Sequence, residues 1–359
     1  MPKWIGNRIG DDAQAPDIAS AGGVFGLIDQ FWGKSNPTIS WADTSLGGRF
    51  TVTNGTKIID VPNDHVYTLF SSSGSVAINP GPSLQCEYVV VGGGGGGGNA
   101  NFTGSYNYAG GGGAGGFRTG TMPTVTAGAT YPVSIGAGGV PPTGGQTTPQ
   151  KPAGSPGTNG AATTWNTITS EGGGCGGGGA PGIARVLGDN GGSGGGSGGY
   201  GYPTTPSGNM VVSTTTPVPA QGNDGAPGPG GGAGGGAAGA GNASPGPGVG
   251  GAGLLAYATP GTYVPNIPTD YGAPGPTTGR WFSAGGGAGA VGYAGAAGGA
   301  GGAGGGGAGG ITNAAGSDAT VKSGSGGGGA GRDSGPTTPA SKNKGGNAGD
   351  GVVLIRWFV

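Results

Sequence analysis

From Gly286 to Gly310, glycine occupies every third position, while the other two phases admit Ala, Val and Tyr. A strict period of three points to a helix with three residues per turn. That is polyproline II geometry, which makes no hydrogen bonds within itself. Every N–H and C=O of such a rod points outwards. Buried backbone polar groups must be paired, so the rods have to bond to one another sideways, in two dimensions where strands use one. A side chain larger than Ala would block that approach, so the inner phases must be Gly. At about 3.1 Å per residue the run 285–310 is too long for one rod in a compact chain and is expected to bend back at least once. Collagen is the competing period-three reading, but it needs an uninterrupted Gly-x-y repeat, and only this run approaches one.

Shorter glycine runs lie near 92–98, 110–116, 136–139, 172–179, 191–199, 228–241, 248–253 and 324–331. Of 359 residues, 101 are Gly and 29 are Pro, and only 8% are charged. Such a composition ordinarily signals low complexity, because Gly loses more backbone entropy on folding than any other residue. A bundle of laterally bonded rods supplies what sparse large apolar side chains cannot.

Two strands flank the glycine-rich block. "EYVVV" (Glu87–Val91) precedes the first run and "GVVLIRWFV" (Gly351–Val359) follows the last. They are expected to share a sheet, making the bundle an insertion that emerges from a β platform. Upstream, "RFTVTNGTKIIDV" places two alternating runs around Asn54-Gly55, a strong hairpin signal, and "HVYTLFSSSGSVAI" repeats the pattern. The expected fold is a small antiparallel β platform of four or five strands (49–91, completed by 351–359), carrying a polyglycine II bundle over 92–350, with almost no α-helix. Residues 1–48 differ in composition. "GVFGLIDQFWGKSNPTIS" (Gly23–Ser40) resembles a segment that recurs in phage virion proteins, and its aromatics require a partner surface. Residues 1–48 therefore read as an attachment element acting through Phe25, Leu27, Phe31 and Trp32.

Beyond that segment, "EYVVVGGGGGGG", "GGGGAGGFRTGTMPTVTAGATYPVSIGAGG" (Gly110–Gly139), "TTWNTITSEGGGCGGGG" (Thr163–Gly179) and "GGNAGDGVVLIRW" (Gly345–Trp357) occur in an order that resembles the glycine-rich domain of bacteriophage tail-fibre and other virion proteins. The chain is also similar in principle to the tip adhesins of T-even-like long tail fibres. That resemblance implies a polyglycine II sandwich whose end loops bind the bacterial surface. It further implies a virion protein assembled in the host cytoplasm, with other virion proteins as partners and a host glycan or protein as ligand. Homo-oligomerisation is compatible with it.

Little in the chain suggests catalysis. The lone histidine, His65, has no Cys or carboxylate cluster around it, and the carboxylates are scattered. No metal, cofactor or catalytic residue is expected, and an enzyme ranks last. Net charge is −1 with no basic block, which argues against nucleic acid. No window is long and apolar enough to span a bilayer, and the first residues lack the apolar core of a Sec-type signal. "IDQFWGKS" ends like a phosphate-binding loop but has Ile28 where the first Gly is required. Cys86 and Cys175 read as free structural thiols, with a disulfide the lesser alternative.

The aromatics outside the runs are the recognition candidates: Phe102, Tyr106, Tyr108, Tyr200, Tyr202, Tyr257, Tyr263, Tyr271 and Trp281, together with Arg280. Tyr combined with Asn, Ser and Gly is the chemistry of adaptable binding loops; the same aromatics could instead lid the ends of the bundle. Loops 99–109, 200–227 and 254–284 are expected to lie at the end far from the sheet. The function expected is display of recognition loops on a rigid scaffold. The alternatives are a purely structural virion component (head decoration or spacer) and, ranking lower, an ice-binding protein.

Overall fold

The computed structural model describes residues 49–60, 65–80, 84–100, 108–142, 155–179, 187–199, 221–227, 231–242, 246–257, 267–290, 297–332 and 344–358. These are all-β or extended, with antiparallel sheets and no α-helix among the described residues. One five-stranded sheet has the order β1-β4-β7-β8-β9: β1 Phe50–Thr53, β4 Gly74–Ile78, β7 Thr130–Ser134, β8 Thr163–Trp165 and β9 Ile168–Ser170. The other has the order β2-β3-β12-β5-β6: β2 Thr56–Asp60, β3 His65–Phe70, β12 Val352–Phe358, β5 Leu84–Val91 and β6 Phe117–Val125. The terminal strand pairs with the strand before the first glycine run, Val352 opposite Val91, as expected. The platform is larger than a single sheet of four or five strands. Strands at 117–134 and 163–170, lying among the glycine runs, complete both sheets.

The Asn54-Gly55 hairpin is not formed. β1 pairs with β4 in one sheet, whereas β2 pairs with β3 in the other. Residues 50–60 and 65–78 are thus two arms of one ribbon that bends from sheet to sheet. Asn54 and Gly55 form the corner on one arm and Ser71–Ser73 the corner on the other. Asn54 takes a φ of 58°, donates from Nδ2 to Ser73 O (3.2 Å), and its carbonyl accepts from Ser72 Oγ (3.1 Å). At Gly55 a Cβ would lie 2.6 Å from the Phe70 ring. The local chemistry that favours a tight turn serves equally to fold a strand over a corner.

The two sheets close on a core of Val66, Phe70, Val90, Trp165, Ile355 and Trp357, among others. Phe50 stacks on Trp357 with ring centroids 5.0 Å apart, and Trp357 Nε1 donates to Thr68 Oγ1 at 3.1 Å. β12 is buried on both faces, which its unbroken apolar run demands. Its second face is covered by residues 254–257 and 267–282, through Leu254, Ala256, Tyr257, Ile267, Tyr271 and Phe282. Within that segment β10 (Leu254–Leu255) pairs with β11 (Trp281–Phe282).

The glycine runs form the bundle. Gly92, Gly95 and Gly98 donate to the carbonyls of Gly116, Gly113 and Gly110 at 3.0, 2.8 and 3.1 Å. Gly93 and Gly96 donate to Ala161 and Thr158, and Gly94 and Gly97 to Gly349 and Gly346, all at 3.0 Å. The bonding direction therefore returns every third residue, as a three-residue helical turn requires. Carbonyls of the same rod accept from Gly173 and Gly176, from Gly327 and Ala330, and from Gly139. Three donor-side and three acceptor-side neighbours thus surround rod 92–98. Contact is so close that a Cβ on Gly95 would lie 2.1 Å from Gly174 O, and one on Gly97 would lie 2.0 Å from Gly328 O.

The longest run folds back as expected. Gly299 and Gly302 donate to Ala288 and Gly285, antiparallel, and the chain reverses at Gly304 and Gly305, whose φ values are 110° and 105°. In "AGGAGGA" (297–303) the alanines are exposed, while both glycine phases face neighbouring backbone. Alanine here marks the surface of the bundle. Small side chains also enter its interior: Ser325 Oγ donates to Gly304 O at 2.9 Å, and Cys175 is buried. Both cysteines are free. Burial pushes the Cys86 thiol up to about 12 and, aided by the Asp189 carboxylate, the Cys175 thiol up to about 11.

Candidate functional site

Rod 92–98 leaves the platform directly after β5, and Gly116 ends the returning rod directly before β6. Gly98, Gly110 and their neighbours therefore mark the end far from the sheets. Segments with both feet there include 101–107 between Ala100 and Tyr108, 143–154 between Pro142 and Ser155, 180–186 between Gly179 and Leu187, and 333–343 between Arg332 and Lys344. Their feet are joined by backbone bonds. Ala109 N donates to Ala330 O and Ala330 N to Gly98 O, both at 3.1 Å, and Ala100 bridges Gly179.

One residue ties them together. Asn99, the first residue after the run 92–98, is 5% exposed. Its N–H donates to Ser155 O (3.1 Å), and its carbonyl accepts from Gly179 N (2.9 Å). Its Nδ2 donates to Pro142 O (3.2 Å), and its Oδ1 accepts from Gly345 N (2.9 Å). Through its backbone and its side-chain amide together, this one residue fixes the root of 101–107, both roots of 143–154 and one root each of 180–186 and 333–343. The signal for Asn99 in the sequence is its place: a polar side chain able to donate and accept at once, where a featureless rod ends.

Phe102, Tyr106, Tyr200, Tyr202 and Tyr263, and the attachment residues Phe25, Leu27, Phe31 and Trp32, lie outside the described residues. The remaining candidates are described, and they do not converge at the far end. Tyr108 is 2% exposed and wedged among rods; a Cβ on Gly199 would lie 1.9 Å from its ring. The described parts of loop 254–284 (254–257 and 267–284) lie on the platform rather than at the far end, because their apolar side chains are what cover β12. Tyr257 and Tyr271 are buried in that layer. Arg280 is a clamp: Nε donates to Tyr271 O at 2.6 Å, and Nη2 donates to Thr269 O and Gly272 O. Lys322 holds Asp270 at 2.6 Å and lies over the Tyr271 ring, and its hydrogen bond keeps the Asp270 carboxyl below its usual range. Trp281 Nε1 donates to Thr277 O, with Gly275 against its ring. For these described residues, lidding the scaffold is the role the contacts support. Loop 200–227 leaves the far end at Gly199 but returns to the platform, where Gln221 O accepts from Phe117 N.

Among the described residues no group of three or more His, Cys, Asp or Glu could hold a metal ion, and no helix is long and apolar enough to cross a membrane. His65 stands on β3, edge-on to Tyr67. The arrangement is one of backbone-bonded rods on a β-sandwich, with segments 101–107, 143–154, 180–186 and 333–343 among those rooted at one end.

The architecture is a β-sandwich base bearing a laterally bonded glycine bundle. Residues 71–358 match a known family, described as the glycine-rich domain, and the chain belongs to that family. No curated protein matches it.

Proposed function

We propose that this chain is a bacteriophage virion protein, of tail-fibre or adhesin type, that displays loops for recognition of a host surface on a rigid polyglycine II scaffold. The observation that carries the reading is the common rooting of 101–107, 143–154, 180–186 and 333–343 around Asn99. Rods fix the loop ends, so the loops can change sequence without disturbing the scaffold. The rod surface is Gly and Ala, which gives a ligand little to hold. The loops supply Phe102 and Tyr106, and aromatic residues are the usual anchors of binding sites. Residues 1–48, through Phe25, Leu27, Phe31 and Trp32, would join other virion proteins.

Fluorescently labelled chain, incubated with a panel of bacterial strains, tests this. The control replaces the four loops by short Gly-Ser links. Display predicts that binding to at least one strain is lost in the control while the melting temperature stays within a few degrees. Equal binding by both proteins, or binding to no strain, favours a purely structural virion component instead.

A further inference from the structure

The chain contains three Asn-Gly pairs, Asn54-Gly55, Asn159-Gly160 and Asn190-Gly191. Asparagine is a thermolabile residue. Before a glycine it is at its most labile, because the next amide nitrogen can reach the side-chain carbon with no β-carbon in the way. The reaction needs that nitrogen free to lose its proton and the side chain free to swing over the backbone.

Two of the pairs are locked. Asn159 Nδ2 donates to Asp189 Oδ2 and Asn159 Oδ1 accepts from Cys175 N, both at 2.8 Å. The Gly160 N–H is itself engaged, with Gly173 O at 2.9 Å. Gly191 is packed into the bundle: a Cβ there would lie 2.3 Å from Gly174 N and 2.5 Å from Gly172 O. Its peptide has no room to turn toward the Asn190 side chain.

The third pair is open. Asn54 is exposed, and one hydrogen bond holds its side chain, from Nδ2 to Ser73 O at 3.2 Å. Among the described residues nothing accepts from the Gly55 N–H. The corner also calls for this pair of residues. A φ of 58° at position 54 suits Asn better than most side chains. Glycine is required next, because a Cβ there would lie 2.6 Å from the Phe70 ring and 2.7 Å from Val52.

We infer that Asn54 is a site of spontaneous deamidation. Gly55 N bonds to the Asn54 side-chain carbon, the bond from that carbon to Nδ2 breaks, and Nδ2 leaves as ammonia with the proton from Gly55 N. Water then opens the cyclic imide at either carbonyl, giving an aspartyl or an isoaspartyl link. Nothing is oxidised or reduced. The product adds one negative charge at the corner between the two sheets, where Nδ2 had donated to Ser73 O. The inference does not rest on the adhesin reading.

The full chain, held at pH 9 and 37 °C and sampled over weeks, tests it. Peptide mapping by mass spectrometry, with isoaspartyl methyltransferase labelling, follows all three pairs. In the folded chain Asn54 should convert at least tenfold faster than Asn159 and Asn190, and more slowly at pH 7, where less of the attacking nitrogen is deprotonated. In guanidinium-unfolded chain the three rates should fall within about threefold of one another. Asn54→Gln, whose ring would be six-membered, should abolish labelling of that peptide. No conversion at Asn54 would overturn the inference, as would equal rates at the three pairs in the folded chain. A tenfold lead for Asn54 that persists in the unfolded chain would also overturn it, since the fold would then not set the preference.

Discussion

Asn99 carries more of the far end of the bundle than any aromatic side chain among the described residues. Both atoms of its amide are used, on chain segments that lie far apart in sequence. Asn99→Ala would leave Pro142 O and Gly345 N without those partners. Gly345 is buried and Pro142 half-buried; an unsatisfied buried group costs about 1–3 kcal/mol, so a loss of about 1–3 kcal/mol is expected. The effect should be local. Amide exchange should quicken at Gly179 and Gly345, while Gly93 and Gly113 in the rods keep their protection. Uniform loss of protection would mean that Asn99 supports the whole bundle and not its end. Arg280 and Tyr271 illustrate the limit of residue-level reading. Both have the chemistry of binding residues, yet Arg280 is spent on carbonyls of its own loop and Tyr271 on the sheet. Composition cannot show which of those uses the chain has made of them.

At the scale of elements, the account separates glycines by phase. Gly298→Val would drive a side chain into Gly309 O, which an added Cβ would meet at 2.1 Å. Rods 297–303 and 306–310 would part, unpairing amides at about 1–3 kcal/mol each. Ala300→Ser, in the exposed phase, should change stability by less than about 0.5 kcal/mol. Denaturant unfolding of the two variants makes the comparison, and equal midpoints would contradict a phase-specific bundle. The rods were readable because a period of three has few other causes, and the reversal of 285–310 followed from length. The Asn54-Gly55 corner was not. Turn chemistry reports that the chain changes direction there, and whether two strands then pair with each other or enter different sheets depends on partners outside the turn, here β4 and β3. The position of 254–284 was hidden for a related reason. The unbroken apolar run of β12 implies a layer on each face, but nothing local states which segment provides the second.

In the whole molecule two kinds of core meet end to end. The sandwich is held by apolar side chains around Trp165 and Trp357, and the bundle by backbone bonds running from rod to rod. The sandwich supplies a seam at which rods start and finish, since β5, β6 and β12 each adjoin one. Without such an anchor the entropy of so many glycines would oppose folding. The central claim is that lateral hydrogen bonds make the glycine runs as firmly structured as the strands. Hydrogen exchange of the intact chain, read residue by residue by NMR, tests it most directly. Amides of Gly93–Gly97 and Gly112–Gly115 should exchange as slowly as those of Val353–Ile355, within about tenfold. Exchange of the glycine amides at free-peptide rates, with the strands still protected, would contradict it.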